Sequence, residues 1–288
     1  MFISAQDVKA LRERTGCGIM DCKKALIQSK GDVTAAVDIL RKSGLAASTK
    51  KAGRLTKEGV AIAVLNEDHT IGVCIEVNSE TDFVARNVQF LDFVKKCAKT
   101  VIEKNPKDLG ELLSLKAFDD NLTVGELLKE KIFIIGENMK IRRFSCFCGA
   151  VSGYTHANGK IATMVKFDVS GSLAKKKDFK IFAKDIAMHV AAAHPIYLTR
   201  DDVPSAVLAH EKEILTVQIA KENKPEFVVG KIIEGRLNKF YKETCLNDQS
   251  FVKDPDISVN AYVDKISKNL SERIKIQSFV RYQRGEDA

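Results

Sequence analysis

The chain has 288 residues, of which 45% are hydrophobic and 29% charged, and its formal net charge is +8. This composition is typical of a globular protein with a buried core, and no apolar run reaches the roughly 18 residues that a membrane-spanning helix needs. Residues 1–7 carry neither the basic nor the apolar segment of a secretion signal, so the sequence predicts a cytoplasmic protein with no membrane partner.

The N-terminal residues 1–54 predict a basic module of three short helices. A capping box at Ser4 and Asp7 starts the first helix, and we expect the third helix to end at Gly44. Residues 46–54 are polar and small, and we interpret them as a linker. The module holds 11 Lys and Arg against 5 Asp and Glu, which favours an acidic partner surface or a phosphate backbone.

The middle of the chain contains an internal repeat of one strand–turn–strand–helix unit. The predicted strands are residues 59–65 and 71–77 in the first copy and residues 151–156 and 161–169 in the second. In the helix that follows, Phe90 and Phe93 recur 89 residues later as Phe179 and Phe182. An antiparallel sheet needs a helix to cover one of its faces, so we expect these four side chains to be buried against sheets.

Further elements lie between and after the two copies. Thr123 and Glu126 form a capping box ahead of a helix. Residues 205–243 place apolar side chains at steps of three and four on either side of a turn at 223–225, which favours a projecting antiparallel hairpin over two ordinary core helices. The predicted stripes are Val207, His210, Ile214 and Val217 on one helix, and Gly230, Ile233, Leu237 and Phe240 on the other.

These elements predict an α+β fold. The N-terminal three-helix bundle precedes a core of two repeated antiparallel-sheet-plus-helix subdomains with a helical hairpin. The predicted units are residues 1–54 for the bundle and linker, 55–145 for subdomain N, and 146–288 for subdomain C with its hairpin at about 205–243.

The seven cysteines are an odd number in a chain predicted to be cytoplasmic, which favours reduced thiols over a disulfide framework. Cys146 and Cys148 would share one face of a strand, but no second cysteine pair or nearby histidine completes a zinc site. We interpret both as buried free thiols. We expect the protein to hold no metal and no cofactor.

Catalytic motifs are missing from the sequence. It contains no phosphate-binding glycine loop, no nucleophile elbow and no defensible Cys–His pair. His189 and His194 are five residues apart, a spacing that does not place both on one helical face for a metal. We therefore predict a binding protein and not an enzyme.

The connections between strand and helix differ between the two copies, and we expect them not to match. Residues 78–87 of the first copy contain an aromatic side chain, whereas residues 168–177 of the second are polar and rich in lysine. In one interpretation Thr81 caps the helix, Asp82 complements its dipole and Phe83 is buried in the core. In the other, Phe83 is exposed at the helix start as an anchor for a partner.

Several motifs resemble the elongation factor Ts family. They occur in the family's order and spacing, and they are LRERTGCGIMDCKKAL at 11–26, TDFVARN at 81–87, IGEN at 135–138, MHVAA at 188–192 and EGR at 234–236. The similarity runs from about Ile3 to Tyr282. It implies an N-terminal bundle like a ubiquitin-associated domain, a two-subdomain core and an antiparallel helical hairpin inserted in the second subdomain, in agreement with the residue patterns.

The resemblance also implies a function and a site. The family exchanges guanine nucleotides on elongation factor Tu, binding its GDP-bound and nucleotide-free forms and dislodging Mg²⁺ so that GTP can replace GDP. The segment that enters the partner near its Mg²⁺ corresponds to Thr81, Asp82, Phe83 and Val84, with Phe83 as a wedge and Asp82 as an electrostatic perturber. Other partner contacts correspond to Lys23, Ile135, Gly136 and His156. Some relatives continue into a C-terminal helix whose contacts we do not expect here.

Two other functions compete with this one. The sequence pI of about 9.0 is compatible with an RNA-binding factor associated with the ribosome. Against that alternative, the basic excess lies in a bundle with few aromatic side chains to stack on bases, so we expect no direct nucleic-acid partner. A ubiquitin-type adaptor would explain the bundle alone and leave most of the chain without a role.

Overall fold

The computed structural model describes residues 3–220 and 226–286. The N-terminal bundle consists of α1 (Ala5–Thr15), α2 (Ile19–Gln28) and α3 (Val33–Lys51). The predicted capping box is present, because the Ser4 side chain accepts from the Asp7 amide and the Asp7 carboxylate accepts from the Ser4 amide. Across the described ranges, none of the helices combines the length and the apolar character needed to cross a membrane.

The third helix does not end where the sequence predicts. It passes through Gly44 and continues to Lys51, so most of the segment interpreted as a linker is helical. Gly44 is buried, and a Cβ atom built on it would lie 3.3 Å from the Cβ of Phe133. The glycine therefore permits close packing of one helix on another and does not terminate the helix. The bundle is held against the core along this contact.

The core contains two sheets and the helices that cover them. The strands are β1 (Glu58–Leu65), β2 (Ile71–Ser79), β3 (Met139–Cys148), β4 (Ala150–His156), β5 (Ile161–Asp168), β6 (Ser250–Phe251), β7 (Asp254–Ser258) and β8 (Lys275–Gln283). The helices are α4 (Asp82–Ala85), α5 (Val88–Lys104), α6 (Leu109–Ser114), α7 (Val124–Ile135), α8 (Gly171–Ala174), α9 (Lys177–Ala193), α10 (Ser205–Ala220), α11 (Glu226–Thr244) and α12 (Val259–Leu270). Both main sheets are antiparallel, with strand orders β1-β2-β3 and β4-β5-β8, and a short ladder joins β6 to β7.

The internal repeat is confirmed in detail. Both central strands carry a register shift at the equivalent place, after Glu76 in β2 and after Lys166 in β5. Both long helices end on a left-handed residue, Asn105 in the first copy and His194 in the second. The four predicted phenylalanines are at most 3% exposed. Helix α5 thus covers the outer face of the first sheet, and α9 covers that of the second.

The inner faces of the two sheets pack against each other through small side chains. Gly72 and Gly153 both lie against Met164, and a Cβ atom at either glycine would come within 3 Å of the Met164 side chain. Ala61, Cys74 and Ala162 complete this closely packed layer with Val151 and Tyr282. The core therefore has four layers, helix, sheet, sheet and helix.

The hairpin prediction is correct in its helices and wrong in one of its faces. Helices α10 and α11 pack together, and the Thr244 carbonyl at the end of α11 accepts from the Ile196 and Tyr197 amides in the connection between α9 and α10. Val207, Ile214 and Val217 of the predicted stripe are exposed, whereas Leu215 is 6% exposed. The buried face of α10 therefore lies about one residue from the predicted face, at Leu215 and the half-buried Leu208. The predicted turn at 223–225 lies outside the described residues.

The cysteines differ from expectation at one position. All seven are free, and Cys17, Cys22, Cys74, Cys97 and Cys245 are buried. Cys146 is half-buried, but Cys148 is exposed, so its interpretation as a buried thiol is wrong. The reason is its place at the end of β3, which is an edge strand of its sheet.

The end of the described chain ties the two sheets together. Residues 284–286 follow β8 of the second sheet and reach Glu76 of the first, which is fully buried. The Glu76 carboxylate accepts from Arg143 Nε at 2.8 Å and from the Gly285 amide at 3.0 Å. Arg143 also donates to Glu286 at 2.6 Å. This charged cluster, which we call the C-terminal clasp, joins subdomain N to subdomain C.

Candidate partner-binding site

The segment with the aromatic side chain forms a single helical turn, α4. Phe83 is 81% exposed, the largest value among the exposed large hydrophobic residues that the structure describes. Its neighbours Val84 and Ala85 are 5% and 6% exposed and belong to the core of subdomain N. The interpretation that places Phe83 in the core is therefore wrong, because Val84 occupies that place. A phenyl ring held in water beside its own filled core is available to a partner.

The second copy contains the same turn without the aromatic side chain. Helix α8 begins and ends 89 residues after α4, so the prediction that the connections do not match is wrong for the backbone. Leu173 corresponds to Val84 and is fully buried, and Ser172 corresponds to Phe83 and is exposed. Since one backbone serves both copies, the fold does not require a phenylalanine at this position.

Thr81 occupies the residue before α4 but does not cap it with its side chain. The helix has no side-chain cap, because the Thr81 hydroxyl instead donates to Glu137 Oε1 at 2.7 Å. The Thr81 amide donates to Glu137 Oε2 at 3.0 Å. The predicted capping role is wrong, and Thr81 instead connects the Phe83 turn to the turn between α7 and β3.

That second turn contains Ile135 and Gly136, which the structure places next to the Phe83 turn through this bond. Gly136 ends α7 in the left-handed region with φ of 88°, and it is exposed, while Ile135 is half-buried. Lys51, at the end of α3, donates to the Gly136 carbonyl at 2.6 Å. The bundle, the Ile135–Gly136 turn and the Phe83 turn therefore meet at one edge of the molecule.

The surroundings of Phe83 combine apolar and charged groups. Asp82 is 3.3 Å from Arg86 in an ion pair one helical turn apart, and this pair is largely exposed. Val88, the first residue of α5, is 80% exposed. Val88 is not among the residues that the sequence predicts for this site, although its place as an apolar residue directly after Asn87, the cap of α5, can be read from the sequence. Exposed apolar groups beside a charged rim are typical of protein-binding surfaces.

Lys23 and His156 lie outside this cluster. Lys23 is exposed on α2 and lines a surface hollow of about 640 Å³ between α1 and α2, next to the exposed Ile19. His156 ends β4 in subdomain C, and its Nδ1 atom is 3.0 Å from the Tyr154 hydroxyl. None of the contacts described for either residue reaches the Phe83 turn, so any partner that touches all of them must cover a wide surface.

Comparison with known proteins agrees with this architecture. The sequence model of the family described as Elongation factor TS matches residues 80–286. The elongation factor Ts of Trichlorobacter lovleyi is 46% identical, and the alignment covers 99% of this chain and 94% of that protein. Those of Halothermothrix orenii and Clostridium kluyveri are 43% and 44% identical, with 99% of this chain covered and 93% and 94% of their own lengths.

The bundle, the double-sheet core and these similarities define a translation elongation factor that acts in protein biosynthesis. Within that class, the chain belongs to the elongation factor Ts family.

Proposed function

We propose that this protein is a guanine-nucleotide exchange factor for elongation factor Tu. It binds the GDP complex, dislodges the partner's Mg²⁺ and promotes replacement of GDP by GTP, acting through binding energy and without a chemical step of its own. The observation that carries the proposal is Phe83, an 81% exposed aromatic side chain on a turn whose backbone recurs in the second copy with a serine.

Exchange by such a protein follows from thermodynamic linkage. A factor that binds nucleotide-free Tu more tightly than GDP-bound Tu must weaken GDP binding by the same factor. Mg²⁺ is bound by oxygen ligands that include nucleotide phosphates, so a displaced ion leaves phosphate charge poorly compensated. The exchange factor therefore needs contacts that form fully only when the nucleotide site is distorted.

The residues of the candidate site suit these two tasks. Phe83 is the wedge that enters the partner, and Asp82 places negative charge beside it. Burial of a phenylalanine side chain contributes about 1.5–3 kcal/mol, which corresponds to roughly 10- to 160-fold in rate if it is gained only in the distorted state. Val84 anchors the turn by its burial in the core, and Thr81 anchors it by its hydrogen bond to Glu137.

The remaining candidates supply affinity. Ile135 and Gly136 present an apolar side chain and an exposed backbone close to the wedge. Lys23 lies on the basic bundle, where charge accelerates encounter with an acidic partner. His156 adds a contact from subdomain C. If Phe83 drives exchange and the other residues supply affinity, loss of Phe83 should lower the rate of exchange much more than it lowers complex formation.

The test is the release of a fluorescent GDP analogue from purified elongation factor Tu, followed with and without this protein. We expect release to accelerate with concentration and to saturate. Acceleration should persist at moderate salt, because docking between proteins loses less affinity with salt than binding to a phosphate backbone. Unchanged release at saturating protein would overturn the proposal, and binding to RNA with a steep salt dependence would favour the rival function.

A further inference from the structure

We propose that Glu137 is a positioning residue that holds the Phe83 turn in the geometry from which Phe83 acts on the partner. The inference rests on the exchange function proposed above. Glu137 follows the exposed Gly136, and its carboxylate binds the turn that carries Phe83, so one side chain connects the two predicted contact regions near the wedge.

The Phe83 turn cannot hold its own conformation. Helix α4 has four residues, and so short a helix is not stable by itself because nucleation is costly. It has no side-chain cap, so its first amides receive no local support. Its anchors are the burial of Val84 and Ala85, the bond from the Ser79 hydroxyl to the Thr81 carbonyl, and the two bonds from Thr81 to Glu137.

Glu137 supplies the strongest of those hydrogen bonds. Both carboxylate oxygens are used, Oε1 by the Thr81 hydroxyl at 2.7 Å and Oε2 by the Thr81 amide at 3.0 Å. Hydrogen bonds to an ionised carboxylate are shorter and stronger than neutral ones, and two of them fix an orientation as well as a distance. Thr81 is thereby clamped two residues before Phe83.

The clamp is part of a fixed frame. Glu80 Oε1 accepts from the Asn138 amide at 2.6 Å, so the residues on either side of the Thr81–Glu137 bond are also joined. Asn138 in turn donates from its side chain to the Arg54 carbonyl at 2.9 Å, just beyond α3. Glu137 therefore connects the wedge to a hydrogen-bonded frame that reaches the residues just after α3.

The second copy of the repeat provides an internal comparison. Ser170 corresponds to Thr81, and its amide donates to Glu272 Oε1 at 3.3 Å, so an acidic residue before the third strand recurs. However, the Ser170 hydroxyl caps its own helix by accepting from the Leu173 amide. The clamp with two bonds to one carboxylate occurs in the copy that bears Phe83 and is replaced by a local cap in the copy that bears Ser172.

The experiment uses the full chain and compares Glu137→Ala with Glu272→Ala as the matched control. We expect Glu137→Ala to lower the maximal rate of GDP release from Tu by at least about tenfold, because it removes both hydrogen bonds to Thr81 and the loss of one charge-assisted bond corresponds to about that factor. The protein concentration at half-maximal rate should change much less, because the other contacts remain. Glu137→Gln keeps one acceptor oxygen and should recover part of the rate, and Glu272→Ala should leave it unchanged.

A double-mutant cycle tests whether Glu137 acts through Phe83. In a Phe83→Ala background, Glu137→Ala should cause no further loss, because the side chain it positions is already absent. Multiplied losses in the double variant, or equal losses from Glu137→Ala and Glu272→Ala, would overturn the inference. Thermal melts of each variant separate these outcomes from simple unfolding, and Thr81→Val, which removes one bond with little change of shape, serves if Glu137→Ala does not fold.

Amide hydrogen exchange gives a readout that does not depend on Tu. Glu137→Ala should speed exchange at residues 81–85 while Glu272→Ala leaves those amides unchanged. If the unmodified protein does not accelerate GDP release from Tu, the proposed function is wrong. The hydrogen-exchange measurement still tests whether Glu137 positions the turn. Unchanged protection at residues 81–85 in a folded Glu137→Ala variant would show that Glu137 does not hold the turn.

Discussion

Phe83 and Ser172 occupy the same position in the two copies of the repeat. Each is the second residue of a four-residue helix, and each is followed by a buried aliphatic side chain, Val84 or Leu173. The backbone therefore tolerates a small polar residue where subdomain N has an aromatic one. The phenyl ring contributes little to the fold, and its cost in exposed apolar surface indicates a role in binding.

Exchange and stability should separate at neighbouring residues of this turn. Phe83→Ala should leave the melting temperature nearly unchanged, because the ring is exposed, and should lower the acceleration of GDP release by roughly one to two orders of magnitude. Val84→Ala should instead reduce the unfolding free energy by about 2 kcal/mol through loss of buried methyl groups. Thermal melts and stopped-flow GDP release on both variants check this. A Phe83→Ala variant that melts much earlier but exchanges normally would contradict it.

Packing of the bundle on the core should depend on Gly44. Gly44→Val would force new atoms against Phe133 and should reduce the unfolding free energy by about 1–3 kcal/mol, the usual cost of overpacking. Gly53→Val is the matched control, because a Cβ atom at Gly53 meets nothing within 4 Å. Urea unfolding measures both. Equal stability of the two variants would show that α3 does not press closely on α7.

A pH dependence should arise from His189, which is fully buried. Its Nδ1 atom accepts from the Val252 amide at 3.2 Å and its Nε2 atom lies 3.0 Å from Gln249 Oε1, so the neutral ring satisfies both partners. Burial lowers the pKa of His189, and the hydrogen bond to Gln249 opposes this in part. Because the folded pKa lies below the unfolded value of about 6.5, the unfolded state binds more protons below that pH.

With respect to His189, the unfolding free energy should therefore be highest above a pH of about 6.5. It should decrease as the pH falls below that value, by at most about 1.4 kcal/mol per pH unit. His189→Gln should be less stable at pH 8 but should lose less stability between pH 8 and pH 5. His194→Asn is the control, since His194 is exposed and its counterpart in the first copy is Asn105. A parallel pH profile for His189→Gln and the unmodified protein would contradict the assignment.

Within the C-terminal clasp, the buried Glu76 should contribute more to stability than the partly exposed Glu286. Glu76→Gln removes a buried charge from Arg142 and Arg143 and should reduce the unfolding free energy by about 1.5–3 kcal/mol, because their charge-assisted hydrogen bonds are weakened. Glu286→Gln should cost much less, since Glu286 is partly exposed and water can replace it. Denaturant unfolding of both variants provides the measurement, and equal losses would contradict the ranking.

Much of this architecture could be predicted because local signals agreed with packing. The capping boxes and the recurring phenylalanines marked helices and sheet faces correctly. The end of α3 could not be predicted, because a glycine that permits a close contact has the same sequence appearance as one that ends a helix. The burial of Phe83 could not be decided either, because the sequence does not show that Val84 fills the core position next to it.

The hydrogen-bond partner of Thr81 was also beyond the sequence. A threonine before an acidic residue normally indicates a cap, but Glu137 lies 56 residues away and competes for the hydroxyl successfully. On α10, evenly spaced valine and isoleucine residues suggested a face that the leucines override. For Thr81 the deciding atom belongs to another element, so a pattern within its own segment carries no information about it.

The clasp determines when the two sheets become fully connected during synthesis of the chain. Arg143 leaves the ribosome early enough to pair with Glu76 while subdomain N folds, but Gly285 and Glu286 are synthesised about 140 residues later. Until then the Glu76 carboxylate lacks one backbone donor and Arg143 lacks one acceptor. Residues 285 and 286 therefore complete a site that earlier residues prepare, and the two sheets gain this connection only after those two residues have been added.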